Sequence, residues 1–106
     1  MNRASISRLA FVVLAIVLLF PLLSQADDLR SAMLANPCAG CHGPDGDSPG
    51  SIPALNNLSA KYISISMKAF KSDQRSGTIM NRIAKGYSDE EIDLMAQYFE
   101  DVKKRR

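Results

Sequence analysis

The sequence predicts a small all-α fold, and two periodic runs and one absence predict it. After Ser88 the apolar residues Ile92, Met95, Ala96, Phe99 and Val102 recur at helical spacing. From Ser59 to about Lys71 a second stretch offers Tyr62, Ile63, Ile65, Met67, Ala69 and Phe70 as apolar positions. Its Ser64-Ile65-Ser66-Met67 alternation suits a strand locally. The stretch is nevertheless too long for one half-buried strand, and no partner strand is evident.

The chain opens on an export-signal pattern. Arg3 and Arg8 form a positive n-region, and Leu9 to Phe20 is an unbroken apolar run. Ser24-Gln25-Ala26 puts small residues where a signal peptidase reads. Residues 1–26 are thus expected to be a signal peptide and 27–106 the mature domain, delivered to the periplasm of a bacterium. The apolar run falls short of the roughly 20 residues of a comfortable membrane span, and Pro21 and Ser24 interrupt it. The alternative is an uncleaved anchor facing the periplasm, because Leu22 and Leu23 extend the run. Membrane contact is expected only in that case.

A domain of this size buries only about 60% of its unfolded surface and needs a staple. Its charge gives no footprint for DNA or RNA. Without Arg3 and Arg8, two of the 13 basic residues, the remaining 11 face 11 acidic ones.

Asp27 and Asp28 lead into Leu29-Arg30-Ser31-Ala32-Met33-Leu34-Ala35, and Leu29, Ala32 and Met33 fit one face of a short amphipathic helix. Asn36-Pro37 ends it. Next comes Cys38-Ala39-Gly40-Cys41-His42, which reads C-x-x-C-H, the attachment site of a c-type haem. Two thiols add across the two vinyl groups of one porphyrin. The histidine directly after the second cysteine brings its imidazole under the same ring as the proximal iron ligand. The chain has one His and two Cys, all within these five residues. A zinc site wants four N/S ligands, and a thioredoxin-like redox motif sits beside a βαβ pattern; the chain offers neither. A disulfide or zinc module is therefore the weaker reading.

Gly43-Pro44-Asp45-Gly46-Asp47-Ser48-Pro49-Gly50-Ser51 is a loop, and a long loop in so small a domain suits one that surrounds a ligand. Ser72 to Gly77 is a turn-rich linker. Ser88-Asp89-Glu90-Glu91 forms a capping box for the last helix. Lys103, Lys104, Arg105 and Arg106 complement its C-terminal dipole. A docking patch for an acidic partner is the second reading of that tail.

A c-type electron carrier usually closes its sixth iron site with a Met thioether. Met33 lies too near the motif to reach the opposite haem face, and Met67 and Met95 lie in apolar helix stripes. Met80 follows Ser76-Gly77-Thr78-Ile79, in what reads as a loop between helices able to deliver a side chain to iron, so it is the expected ligand, with Met67 next.

These motifs resemble the class I cytochromes c over the whole mature domain. They are C-x-x-C-H-G, the Gly/Asp-rich loop, Ile52-Pro53-Ala54-Leu55, and a C-terminal Met before a capped helix. Within the class, Phe70-Lys71-Ser72 and the stretch from Ser76 to Ile92 are most similar to the monohaem cytochrome subunits of flavocytochrome c sulfide dehydrogenases. The resemblance implies a small cytochrome c fold of about four short helices around one covalent haem c, with His42 and Met80 as axial metal ligands. It also implies that the Pro53 carbonyl orients the His42 ring, although Pro53 reads equally as a loop terminator. Tyr87 reads as core filler beside the haem, or as a hydroxyl near a propionate. The class often pairs an aromatic of the first helix with one of the last. Here the first helix offers Leu29 and Leu34, while Tyr98 and Phe99 remain, so a looser contact is expected.

Function follows from filled axial sites: an electron-transfer protein, not an enzyme. The resemblance makes an FAD-containing sulfide-oxidising flavoprotein the expected electron donor. The chain lacks a dinucleotide fingerprint, so the FAD belongs to another polypeptide. The alternatives are a free-standing periplasmic shuttle serving other redox proteins, and a haem sensor or enzyme with an open sixth site.

Overall fold

A computed structural model describes residues 2–106. Five α-helices carry the fold: α1 (Arg3–Ala35), α2 (Ala39–His42), α3 (Ala60–Lys71), α4 (Met80–Ala84) and α5 (Asp89–Arg105). Tight 3₁₀ turns occupy Asn36–Cys38 and Pro44–Gly46, and no strand occurs among the described residues.

The two helices with the strongest local signals begin where their caps dictate. Ser88 Oγ accepts from the Glu91 N–H, while Glu91 Oε2 accepts from the Ser88 N–H at 2.9 Å, closing the capping box. Ile92, Met95, Ala96, Phe99 and Val102 are all buried along one face of α5. Ser59 caps α3 by accepting from the Tyr62 N–H at 3.1 Å. Glu100 of α5 also accepts from the Ala60 N–H at 2.7 Å, which satisfies a second orphan donor of that helix end.

α1 corrects two expectations. It runs unbroken for 33 residues, with Pro21 inside it, rather than starting near Asp27. Proline removes one helix hydrogen bond, and the Leu and Ala around it are strong helix formers. From Leu9 to Leu22 its side chains are exposed. The helix is long and apolar enough to cross a membrane by length and composition, a property that an N-terminal signal sequence shares.

Burial begins only at Ser31, and on a different face from the one the apolar pattern marks. Leu29 and Met33 are 64% and 68% exposed, whereas Ser31 and Ala35 face inward at 8% and 2%. Ser31 and Ala35 lie one turn apart, and their small side chains let α1 lie directly on α5. Ser31 Oγ satisfies itself on the Asp28 carbonyl at 2.8 Å. Ala35 then joins Ile63, Ala96 and Phe99 in one core cluster. The contact of α1 with α5 is the most extensive between any two elements. The missing aromatic is thus met by close approach of small residues, not by a loose joint. Arg30 adds an exposed ion pair to Glu90 at 3.0 Å, worth little by itself.

α3 packs on both α4 and α5. Lys68–Asp93 at 2.7 Å and Lys71–Asp89 at 2.8 Å fix its register against α5. The loop after α2 is fastened at Gly46, which has φ +72°. The Gly46 carbonyl accepts from the Leu55 N–H at 2.8 Å and from the Asn56 N–H at 3.3 Å, which closes the loop that carries Pro53.

Candidate haem centre

The 3₁₀ turn at Asn36–Cys38 leads directly into the one-turn helix α2, so the five motif residues are wound tightly together. Cys38 is half-buried and packs against the core cluster, while Cys41 is exposed. Both thiols are free. Burial, with a smaller contribution from the neighbouring Cys41, pushes the Cys38 thiol up, against the pull of a backbone hydrogen bond. Gly43 ends α2 at φ +81°, and a side chain there would collide with the Asp47 carbonyl.

His42 is the last residue of α2 and is half-buried. Its Nδ1 lies 2.6 Å from the Pro53 carbonyl oxygen. A carbonyl only accepts, so Nδ1 carries a proton, and in the neutral imidazole Nε2 then has the lone pair. The motif helix and the loop residue Pro53 are therefore brought together across eleven positions of chain.

Met80 belongs to a different element from these residues. It opens α4, which packs mainly on α3. The expectation of a loop position is corrected: Met80 is half-buried at the first turn of a short helix whose N-cap, Ile79, makes no side-chain cap bond. Met67 packs against the core cluster, Met95 is buried, and Met33 is exposed on α1.

The basic tail is largely engaged within the domain. Arg106 pairs with Asp47 at 2.9 Å and reaches Asp45 at 3.8 Å. The hydrogen bond and charge of Arg106 hold the Asp47 carboxyl below its ordinary range. Tyr98 donates its hydroxyl to Asp45 at 3.0 Å, and the Arg105 guanidinium lies 5.6 Å over the Tyr98 ring. Lys104 pairs with Glu100 and Asp101. Tyr87 is half-buried; burial first, with the Glu91 charge a smaller cause, pushes its phenol up.

Sequence reasoning missed Asn81, whose side-chain amide contacts the segment before Met80 at four points. An Asn inside a helix is a poor helix former, and that is the one signal that marked it.

The residues present fit a c-type haem. Two free thiols and an imidazole with an open Nε2 are the donor set such a group requires. Ile52, beside Pro53, stays 41% exposed, and Ile79 and Ile83, flanking Met80, stay 55% and 38% exposed. Apolar surface on both candidate ligand segments suits a large apolar ring. The protein core is also thin, with Ile92 as its only large side chain below 2% exposure among the described residues. When bound, haem supplies one-electron chemistry at iron; the chain's own part is to hold, orient and shield it.

Comparison with known proteins agrees. The cytochrome c family profile matches residues 30–103. The cytochrome subunit of sulfide dehydrogenase from Chlorobaculum tepidum is 41% identical over 85 residues, 80% of this chain and 77% of that one. The thiosulfate dehydrogenase electron acceptor of Stutzerimonas stutzeri is 36% identical over 69 residues, 61% of this chain and 32% of that one. Cytochrome c-553 of Helicobacter pylori (strain J99) is 34% identical over 89 residues, 82% and 91% of the two chains. The chain belongs to the cytochrome c family, as a monohaem carrier that is not itself an enzyme and passes electrons to and from redox partners through one covalently bound haem c.

Proposed function

We propose that this cytochrome is the electron-accepting partner of an FAD-containing, sulfide-oxidising flavoprotein. Cys38 and Cys41 form the thioethers, and His42 Nε2 and Met80 Sδ are the axial ligands. The Pro53 carbonyl holds the His42 ring in its tautomer and orientation. The 2.6 Å contact between His42 Nδ1 and the Pro53 carbonyl carries the ligand reading, since it leaves one nitrogen free and fixes where it points. The flavoprotein reading rests on 41% identity across 80% of the chain with a protein named as a sulfide dehydrogenase cytochrome subunit. Residues 1–26 direct the domain to the periplasm, where 27–106 works as the mature protein.

Electron counting sets the partner's task. Sulfide gives up two electrons on reaching zero-valent sulfur, and one haem takes one. Two cytochrome reductions therefore follow each sulfide, and the flavin must hold the intervening electron. The test mixes purified holocytochrome, flavoprotein and sulfide. Haem reduction that needs both other components supports the reading, and sulfide oxidation by the cytochrome alone sinks it. Co-elution that survives high salt marks a permanent subunit, whereas a rate that falls with salt marks a transient encounter.

A second reading is a free-standing shuttle, and similarity to a thiosulfate dehydrogenase electron acceptor supports a donor other than the flavoprotein. Reduction by a thiosulfate-oxidising enzyme, without reduction by the flavoprotein, selects it.

A further inference from the structure

The segment between α3 and α4 delivers the proposed sixth ligand, and one side chain holds most of it. Asn81, the second residue of α4, is half-buried. Its Nδ2 donates to the Phe70 carbonyl at 3.1 Å, the Arg75 carbonyl at 2.7 Å and Asp73 Oδ1 at 3.2 Å. Its Oδ1 accepts from the Gly77 N–H at 2.8 Å. An amide has two donor hydrogens, so three acceptors around Nδ2 use both, one of them shared. The single side chain thereby joins the end of α3 to three points of the following loop, and its own backbone is α4.

The loop has the shape such a clasp requires. Asp73 is left-handed at φ +59°, and Lys85 of the turn after α4 pairs with it at 2.6 Å. The Arg75 guanidinium lies 4.7 Å over the Phe70 ring. A Cβ on Gly77 would stand 2.9 Å from Phe70 Cε1, so the loop lies directly against that ring. Residues 72–79 are therefore closed over Phe70, and Asn81 is the fastening nearest to Met80.

We infer that Asn81 is a positioning residue for the haem iron. It acts through the loop that its hydrogen bonds hold. It fixes the register of the 72–79 loop and of the first turn of α4, and so fixes where its neighbour Met80 stands. This rests on the reading of Met80 as the sixth ligand. An external ligand reaches iron only as the Met80 sulfur leaves, and that departure requires this turn to open. The Asn81 hydrogen bonds oppose the opening.

The test uses ferric holoprotein and cyanide as the probe. The variants are Asn81→Ala, Asn81→Asp, Met80→Ala and the distant control Glu100→Ala, which loses the Ala60 contact instead. In Asn81→Ala the Met-to-iron charge-transfer band persists, but cyanide binds on the order of ten- to a hundredfold faster, as loss of several hydrogen bonds from the closed loop implies. Glu100→Ala loses stability without a matching rise in cyanide rate. If Asn81→Ala does not fold, Asn81→Asp decides. It keeps the acceptor for Gly77 but loses every donor contact, and its cyanide rate must also rise. A natural cyanide rate in the Asn81 variant, or an equal rise in Glu100→Ala, overturns the inference. If Met80→Ala retains the charge-transfer band, the reading of Met80 has failed and the inference falls with it. If Met80→Ala loses the band while the Asn81 rate stays natural, only the role of Asn81 has failed.

Discussion

Replacing Gly46 by alanine should damage this domain far more than one methyl group suggests. Gly46 has φ +72°, a left-handed geometry that costs an L-residue roughly 1–2 kcal/mol. The new Cβ would stand 2.9 Å from both Leu55 Cβ and Phe99 Cδ1. Leu55 belongs to the loop and Phe99 to the buried face of α5, so neither yields freely. Overpacking of this kind costs about 1–3 kcal/mol. The expected loss is about 2–5 kcal/mol in a domain whose total stability is of order 5–15 kcal/mol. Gly50 is the internal control, since a Cβ there meets nothing within 4 Å, and Gly50→Ala should stay within about 0.5 kcal/mol of the natural protein. Denaturant unfolding of ferric holoprotein, followed by haem absorbance and far-UV circular dichroism, measures both. Because the Gly46 carbonyl closes the loop that carries Pro53, a displaced loop also weakens the His42 hydrogen bond. That makes the imidazole a poorer donor, and the reduction potential should rise. Equal stability losses in the two variants, or a Gly46→Ala loss below about 0.5 kcal/mol, would refute the packing argument.

Met80→Ala should lose the Met-to-iron charge-transfer band, admit carbon monoxide and lower the reduction potential; Met67→Leu should keep the band and cost less than about 1.5 kcal/mol, and the opposite pattern reassigns the ligand. Ser88→Ala removes one half of the capping box and should cost about 1 kcal/mol by thermal or chemical unfolding. Acid should weaken the fold in a defined direction. Hydrogen bonds from Arg106, Lys85, Lys71, Lys68 and the Ala60 N–H hold Asp47, Asp73, Asp89, Asp93 and Glu100 below the ordinary carboxylate range. Depressed folded values make their contribution present above the unfolded values, near pH 4, and lost as pH falls through the folded ones. A stability profile flat from neutral pH down to about pH 2 contradicts this.

The parts of the fold legible in the sequence are those fixed by local chemistry. Ser88 with Glu91 and Ser59 with Tyr62 each close a cap within one turn, so their helices could be bounded without tertiary knowledge. The five-residue motif is similarly local. What was not legible depends on partners far along the chain. No apolar period marks Ser31 and Ala35 as the inward face of α1; that face is chosen because small side chains let α5 approach. Helix α4 is one turn long and has no side-chain cap, so it leaves no pattern to read around Met80. The hub at Asn81 exists only once Phe70, Asp73, Arg75 and Gly77 have been folded around it.

The continuity of α1 across Ala26 and Asp27 bears on the proposal that residues 1–26 are a signal peptide. Should the chain be cut after Ala26, the severance falls inside a helix and creates a new end at Asp27. The next amides lose their upstream carbonyls, and a fresh ammonium appears at the positive pole of the shortened helix. Asp27 and Asp28 are already there, and acidic groups at that pole are worth about 0.3–1 kcal/mol each. The remaining stub, from Asp27 to Ala35, is shorter than the roughly 12–15 residues an isolated helix needs in water. Its survival would then be borrowed from α5 through Ser31 and Ala35. The sequence at the junction thus carries the acidic residues of a helix start that only a cut chain would use, since the uncut helix begins at Arg3.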